Sequence, residues 1–156
     1  MKKISVKIDQ KELMVNFWET EIENPHGIFY IHHGMAEHID RYNYFAEQLN
    51  SKGYHVVGHN HLGHGNNKEN GEGVFARSEG WKKVCNEASV VCDHFNNLFP
   101  EIFHVISFFF SEFSMPHLRA CHHAPVDRYF VCLRSVTQPW LTFYFILLIE
   151  VRSSWW

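Results

Sequence analysis

No glycine occurs after Gly80 in this 156-residue sequence, and no lysine after Lys83. Acidic residues become scarce beyond Pro100, leaving a stretch rich in Phe, His, Cys, Arg, Ser and Trp. Turns and helix ends that need a left-handed glycine are therefore excluded from the last third of the chain. There is no basic block, and the net charge is only −3, which excludes the electrostatic footprint of a nucleic-acid binder. The N-terminal Met-Lys-Lys-Ile-Ser-Val-Lys-Ile lacks the apolar centre of a signal peptide. The four cysteines have no paired spacing, so a disulfide framework is not expected and reduced thiols in a cytoplasm are. The longest apolar run, Trp140 to Ile149, is too short to cross a bilayer as a helix.

What is present is a well-patterned first two thirds. Lys3 to Ile8 and Leu13 to Glu19 alternate apolar and polar residues around Asp9-Gln10-Lys11, the pattern of an antiparallel hairpin with one wet face. After a loop carrying Pro25, Gly27 to His32 reads as a strand buried on both faces, since its residues are continuously apolar or aromatic. Asp40 is placed to cap a helix over Arg41 to Ser51, whose Tyr42, Phe45, Ala46 and Leu49 share one stripe and whose end is closed by Gly53. Tyr54 to Gly58 is a second buried strand, followed by a polar, glycine-rich loop from His59 to Arg77. Gly80 to Leu98 is the clearest helix, with Trp81, Val84, Cys85, Ala88, Val91, Cys92, Phe95 and Leu98 at helical spacing. On that stripe Cys85 and Cys92 are packing residues rather than nucleophiles. Phe99-Pro100 ends the helix, and Ile102 to Phe110 reads as another buried strand. A hairpin followed by βαβαβ argues for an α/β sheet that binds ligands at the C-terminal ends of its strands.

Two clusters sit at such ends. The first, His33-Gly34-Met35-Ala36-Glu37-His38, follows a buried strand with a glycine that lets the backbone turn and leaves N–H groups uncovered. Such N–H groups can hold the negative charge that develops in acyl transfer. The second is Gly58-His59-Asn60-His61-Leu62-Gly63-His64-Gly65. His59, His61 and His64 match three ligand positions of a His-x-His-x-Asp-His zinc motif, but Gly63 stands at the Asp position. The alternative is a structural loop in which Gly63 and Gly65 permit a tight turn and the imidazoles make hydrogen bonds.

Together the clusters resemble the monoglyceride lipase and lysophospholipase branch of the α/β-hydrolases. That branch carries His-Gly-x-x-Glu-His-x-x-Arg-Tyr and then Asp-x-x-Gly-His-Gly-x-Ser. His33, Gly34, Glu37, His38, Arg41 and Tyr42 match the first motif in order, whereas Asn60 replaces the Asp of the second and Asn67 its Ser. The resemblance covers Lys3 to Ile106 and implies the N-terminal portion of an α/β-hydrolase sheet. It also implies a serine hydrolase that needs no cofactor or metal and acts on small lipid-like esters. In that family a Ser in a Gly-x-Ser-x-Gly elbow attacks the acyl carbon, a His acts as base, and an Asp orients the His. The N–H after His-Gly, here that of Met35, donates to the oxyanion.

The elbow is not found where the resemblance places it. Ser107-Phe-Phe-Phe-Ser111-Glu-Phe-Ser114-Met-Pro contains no glycine, and Glu112 and Pro116 occupy the two glycine positions around Ser114. Ser114 is thus the nucleophile candidate, without the elbow. Asp127 is the one aspartate after Asp93, and His117, His122 and His123 lie too near Ser114 to follow the family order. The sequence therefore predicts residues 1–106 as a partial α/β-hydrolase domain and 107–156 as an aberrant, irregular tail. A reading-frame change near Phe103 to Ser111 and a genuine hydrophobic segment both fit that tail. The expected protein is a truncated or frame-disrupted hydrolase without activity, cytoplasmic, poorly soluble and prone to self-association. A metallohydrolase using His59, His61 and His64 and a non-catalytic interaction module are the alternatives.

Overall fold

Every residue of the strand Gly27–His32 is buried, and the rest of the sheet is arranged on either side of it. The computed structural model describes residues 1–34, 36–109, 129–133 and 148–149, with the backbone alone given for 106–109, 129–133 and 148–149. Its strands are β1 (Lys2–Ile8), β2 (Lys11–Trp18), β3 (Gly27–His32), β4 (Tyr54–His59), β5 (His104–Phe109), β6 (Tyr129–Leu133) and β7 (Leu148–Ile149). They form one sheet in the order β1-β2-β4-β3-β5-β6-β7. β4, β3, β5 and β6 run parallel, while the β1–β2, β2–β4 and β6–β7 pairs are antiparallel. This is the expected hairpin followed by βαβαβ. The expected boundary at residue 106 falls inside β5, and most of the expected tail lies outside the described residues.

Two helices cover opposite faces of the sheet because β-strand side chains alternate. Ile28 and Tyr30 of β3 pack with Val57, Phe17 and the α2 (Gly80–Leu98) residues Val91, Cys92 and Phe95. Phe29 and Ile31 pack on the other face with Val56, Trp18 and Ala46 of α1 (Asn43–Ser51), beside Phe45 and Leu49. A strand enclosed in this way has no solvent face, which is why its sequence does not alternate.

Four local expectations need correction. Asp40 does not cap α1; a 3₁₀ turn (Ile39–Tyr42) precedes the helix, and the Asp40 carboxylate accepts from the Asn16 amide at 3.0 Å. β2 is not half wet along its length, because pairing with β4 buries Val15 to Trp18 on both faces. β4 runs one residue further than expected, to His59. Trp81 and Leu98, at the two ends of the α2 stripe, are exposed, and the packed portion runs from Val84 to Phe95.

The chain leaves β3 for β4 on one side and then crosses to β5 on the other. That reversal is a topological switch point, and open α/β sheets bind ligands at such points, beyond the C-terminal ends of their strands. No helix among the described residues is long and apolar enough to cross a membrane.

Candidate active site

At the C-terminal end of β3 the chain turns through His33 and Gly34, both buried. The His33 Nδ1 lies 2.8 Å from the Gly34 carbonyl oxygen, and its Nε2 lies 2.9 Å from the backbone nitrogen of His61. A carbonyl can only accept, so Nδ1 carries the proton and Nε2 accepts the His61 N–H. One neutral imidazole thus ties the loop after β3 to the loop after β4. Burial pushes His33 down to about 4; the Gly34 carbonyl opposes this, His64 adds to it, Glu37 opposes it and His38 adds to it.

The remaining first-motif residues brace the same turn. The Glu37 carboxylate reaches back to accept the Gly34 N–H at 3.2 Å and also accepts the Tyr42 hydroxyl. Its other oxygen faces Arg41 at 3.6 Å. Ala36, between them, has φ +60°, a left-handed conformation that costs a non-glycine residue roughly 1–2 kcal/mol. The spacing of Glu37, Arg41 and Tyr42 is thereby explained: one carboxylate fastens the turn to the 3₁₀ turn beyond it. His38 does not join them; it is exposed, with Nδ1 3.9 Å from Asp40. Met35 and Ser114, the expected oxyanion donor and nucleophile candidate, lie outside the described residues.

The second motif folds into a loop fastened from inside. The Asn60 side-chain oxygen accepts the Ile39 N–H at 2.8 Å, and its amide donates to Asn66 at 2.9 Å. Asn67 is buried and donates to the Asn60 carbonyl at 3.0 Å and to Glu87 at 3.2 Å. Gly63 and Gly65 adopt φ +79° and +52°, as a tight turn requires. A Cβ on Gly63 would lie 2.6 Å from the Val74 backbone nitrogen, and one on Gly65 would lie 2.2 Å from the Asn60 amide.

Glu87 is the functional-site support that sequence reasoning missed. It lies buried on the packed stripe of α2 and pairs with Lys11, the first residue of β2. Burial raises its carboxyl above the usual range, and Lys11 and Asn67 oppose that rise. The signal was a lone Glu between Val84, Ala88 and Val91, whose partners stand 76 and 20 residues away.

Histidines crowd this end of the sheet. The rings of His32, His59 and His61 stand 5.3–6.0 Å apart between centroids, and His33 is 4.3 Å from His61 and 5.1 Å from His64. Burial pushes His32 to about 4, with His33 adding to the effect, and holds His59 and His61 well below the usual imidazole range. His64 turns its Nδ1 to the Leu62 carbonyl at 2.9 Å. Among the described residues no group of three His, Cys, Asp or Glu side chains is placed to hold a metal ion. The expected alternative of a His59, His61 and His64 ligand set is therefore withdrawn: His64 bonds the Leu62 carbonyl, the His61 N–H bonds His33, and the His59 ring is buried beside those of His32 and His61.

The family described as "Serine aminopeptidase, S33" matches residues 23–111, more than half of the chain. A monoglyceride lipase homolog of Monkeypox virus is 37% identical over 65 residues, which are 42% of this chain and 22% of that protein. Protein K6 of Vaccinia virus (strain Western Reserve) is 39% identical over 56 residues, 36% of this chain and 65% of that protein. The chain thus spans less than two thirds of either relative. In three dimensions it is similar to a thermostable carboxyl esterase from Bacillus coagulans, with TM-score 0.62 and 16% identity over 76% of this chain and 46% of that one. It is also similar to a soluble variant of monoglyceride lipase from Saccharomyces cerevisiae, with TM-score 0.58 and 15% identity over 68% of this chain and 35% of that one. At such identities these likenesses concern the fold.

Proposed function

The chain belongs to the serine aminopeptidase S33 family of the α/β-hydrolases, and on that premise we propose that it is a lipase-type hydrolase scaffold that has kept its oxyanion turn and lost its nucleophile elbow. The substrate class that suits the scaffold is a small lipid-like carboxylic ester, as in the monoglyceride lipase branch that its motifs resemble. The braced turn at Gly34 supports the first half of the reading, because fastening by His33 and Glu37 fixes the direction of the backbone on either side of Met35. Met35 is assigned as the residue whose N–H would face an acyl oxyanion.

A single observation carries the second half. Nowhere in the 156 residues does a serine stand between glycines in a Gly-x-Ser-x-Gly pattern. An elbow needs glycine because its backbone is strained and its helix packs against the strand; Glu112 and Pro116 around Ser114 would crowd it. Loss of the nucleophile or base costs a serine hydrolase about a millionfold in rate in the subtilisin-type knockouts. The protein is accordingly assigned as inactive or nearly so, with Ser114 as the residual candidate. Treatment of the full chain with a fluorophosphonate probe tests this. No labelling above a heat-denatured control is expected, and strong labelling abolished by Ser114→Ala would overturn it.

A further inference from the structure

The imidazoles at the ends of β3 and β4 do more than the family's acyl chemistry asks of them. His33 Nε2 accepts the His61 N–H, a bond that only the unprotonated nitrogen can make. A proton on Nε2 would point a second donor at that N–H. Around this bond the buried groups offer little to hold a positive charge. Among the described residues neither ring nitrogen of His59 nor the Nδ1 of His61 has a hydrogen-bond partner.

We propose that the loops following β3 and β4 form an acid-released latch, closed by the bond from the His61 N–H to His33 and opened when that imidazole takes a proton. Of the groups facing it, only the Gly34 carbonyl and Glu37 favour a charge on His33. His64, in the loop after β4, opposes a charge on His33, while His32 at the end of β3, His59 on β4 and His61 beside it are held neutral by burial and bring no compensating negative charge. In its own loop His38 adds to the opposition, while the Gly34 carbonyl and Glu37 favour the charge. Glu37 is already engaged by Gly34, Tyr42 and Arg41. Lys11, from the hairpin, acts on His59 in the repelling sense.

Linkage gives the direction and the window. His33 is held near 4 in the closed form and returns towards the ordinary 6.5 once the loops open to water. Above pH 6.5 neither form binds the proton, so the closed form has its full advantage. As pH falls from 6.5 towards 4 the open form binds more protons and gains. For His33 alone the open-to-closed ratio rises by up to about tenfold per pH unit within that window, and by about 300-fold over the whole titration from well above 6.5 to well below 4. The hinges are at hand in Gly63 and Gly65, which already occupy the left-handed region. α2 packs through Val84, Ala88, Val91, Cys92 and Phe95, with no buried histidine on it, so the loops are released before that helix. The inference concerns the two loops and stands whether or not the chain hydrolyses esters.

Amide hydrogen exchange of the full chain from pH 7.5 to 4.5, corrected for the intrinsic effect of pH on exchange, tests the latch. Residues 36–42 and 60–67 are expected to lose protection more than tenfold while α2 keeps its own. Loop protection that stays flat, or that fails only together with α2, would overturn the proposal. His33→Gln supplies an acceptor that does not titrate, and it is expected to cut the pH response at least tenfold; an unchanged profile would also overturn it. Should that variant not fold, ¹⁵N shifts of His33 in the wild-type chain decide. The Nδ1–H tautomer is expected at pH 7.5 and double protonation in step with loop opening, whereas double protonation under intact protection would refute the latch.

Discussion

The side-chain oxygen of Asn60 accepts the backbone N–H of Ile39 at 2.8 Å, so the loop after β4 satisfies a buried donor in the turn after β3. The family motif has Asp at this place, and an acceptor is what both residues share. Asn60→Ala would leave the Ile39 N–H buried and unpaired, a loss of about 1–3 kcal/mol. Asn60→Asp keeps the acceptor, and the Asn66 side chain can rotate its amide towards the new carboxylate, so a change within about 1 kcal/mol is expected. Urea unfolding of the two variants at neutral pH would separate them. Equal losses would mean that the donor finds another acceptor.

Much of this arrangement was legible in the sequence, and what was not has a common cause. Gly27 to His32 announced a doubly buried strand through its own residues, and Gly80 to Leu98 announced a helix through its period. The motif spacing placed His33, Gly34 and Glu37 together. By contrast, Asp40 looked like a helix cap because capping is local, yet Asn16, 24 residues earlier, claims its carboxylate. The burial of both faces of β2 beyond Val15 follows from pairing with β4, about forty residues later, which no alternation pattern within β2 reports. The role of His33 depends on which nitrogen carries the proton, and that is set by Gly34 and His61 together.

Glu87 and Lys11 give the fold a pH-dependent pair. The Glu87 carboxyl is raised by burial, so between the ordinary 4.5 and its raised value the folded chain holds a proton that the unfolded chain has released. Glu87 by itself therefore lowers stability as pH rises through that window. Lys11 offsets the cost once the carboxylate is charged. Lys11→Ala is expected to destabilise by about 1–3 kcal/mol at pH 7, since the ammonium is only partly shielded, and by clearly less at pH 4.5. Glu87→Gln should flatten the pH dependence and stay within about 1 kcal/mol of the wild type at pH 7. Denaturant titrations of both variants at the two pH values check the sign; a Lys11→Ala loss that is larger at pH 4.5 would reverse it.

Gly63 and Gly71 separate strain from collision. Both have φ in the left-handed region, +79° and +100°. A Cβ on Gly71 would meet nothing within 4 Å, whereas one on Gly63 would meet the Val74 backbone at 2.6 Å. Gly71→Ala should cost about 1–2 kcal/mol, the backbone term alone. Gly63→Ala should cost at least about 1 kcal/mol more, because packed backbone cannot give way as a flexible side chain does. Thermal melts of the two single variants supply the comparison, and equal losses would show that the Val74 segment yields freely.

Glu37 fastens the turn through three partners at once, and a double-mutant cycle can measure how far they depend on one another. Glu37→Ala removes the acceptor for the Gly34 N–H and the Tyr42 hydroxyl, for an expected loss of about 1–3 kcal/mol. Glu37→Gln keeps a carbonyl acceptor but weakens both bonds, since charge-assisted hydrogen bonds are about twice as strong as neutral ones. Tyr42→Phe removes one donor and leaves the ring in place against Ala46 and Ile39. If the carboxylate holds Gly34 and Tyr42 as a unit, the combined Glu37→Gln/Tyr42→Phe loss will fall short of the sum by about 0.5 kcal/mol or more. The exposed Arg41 contact, at 3.6 Å, should add little, so Arg41→Ala is expected within about 0.5 kcal/mol of the wild type. Strict additivity of Glu37 and Tyr42 would mean that the spacing of the motif serves something other than bracing the turn.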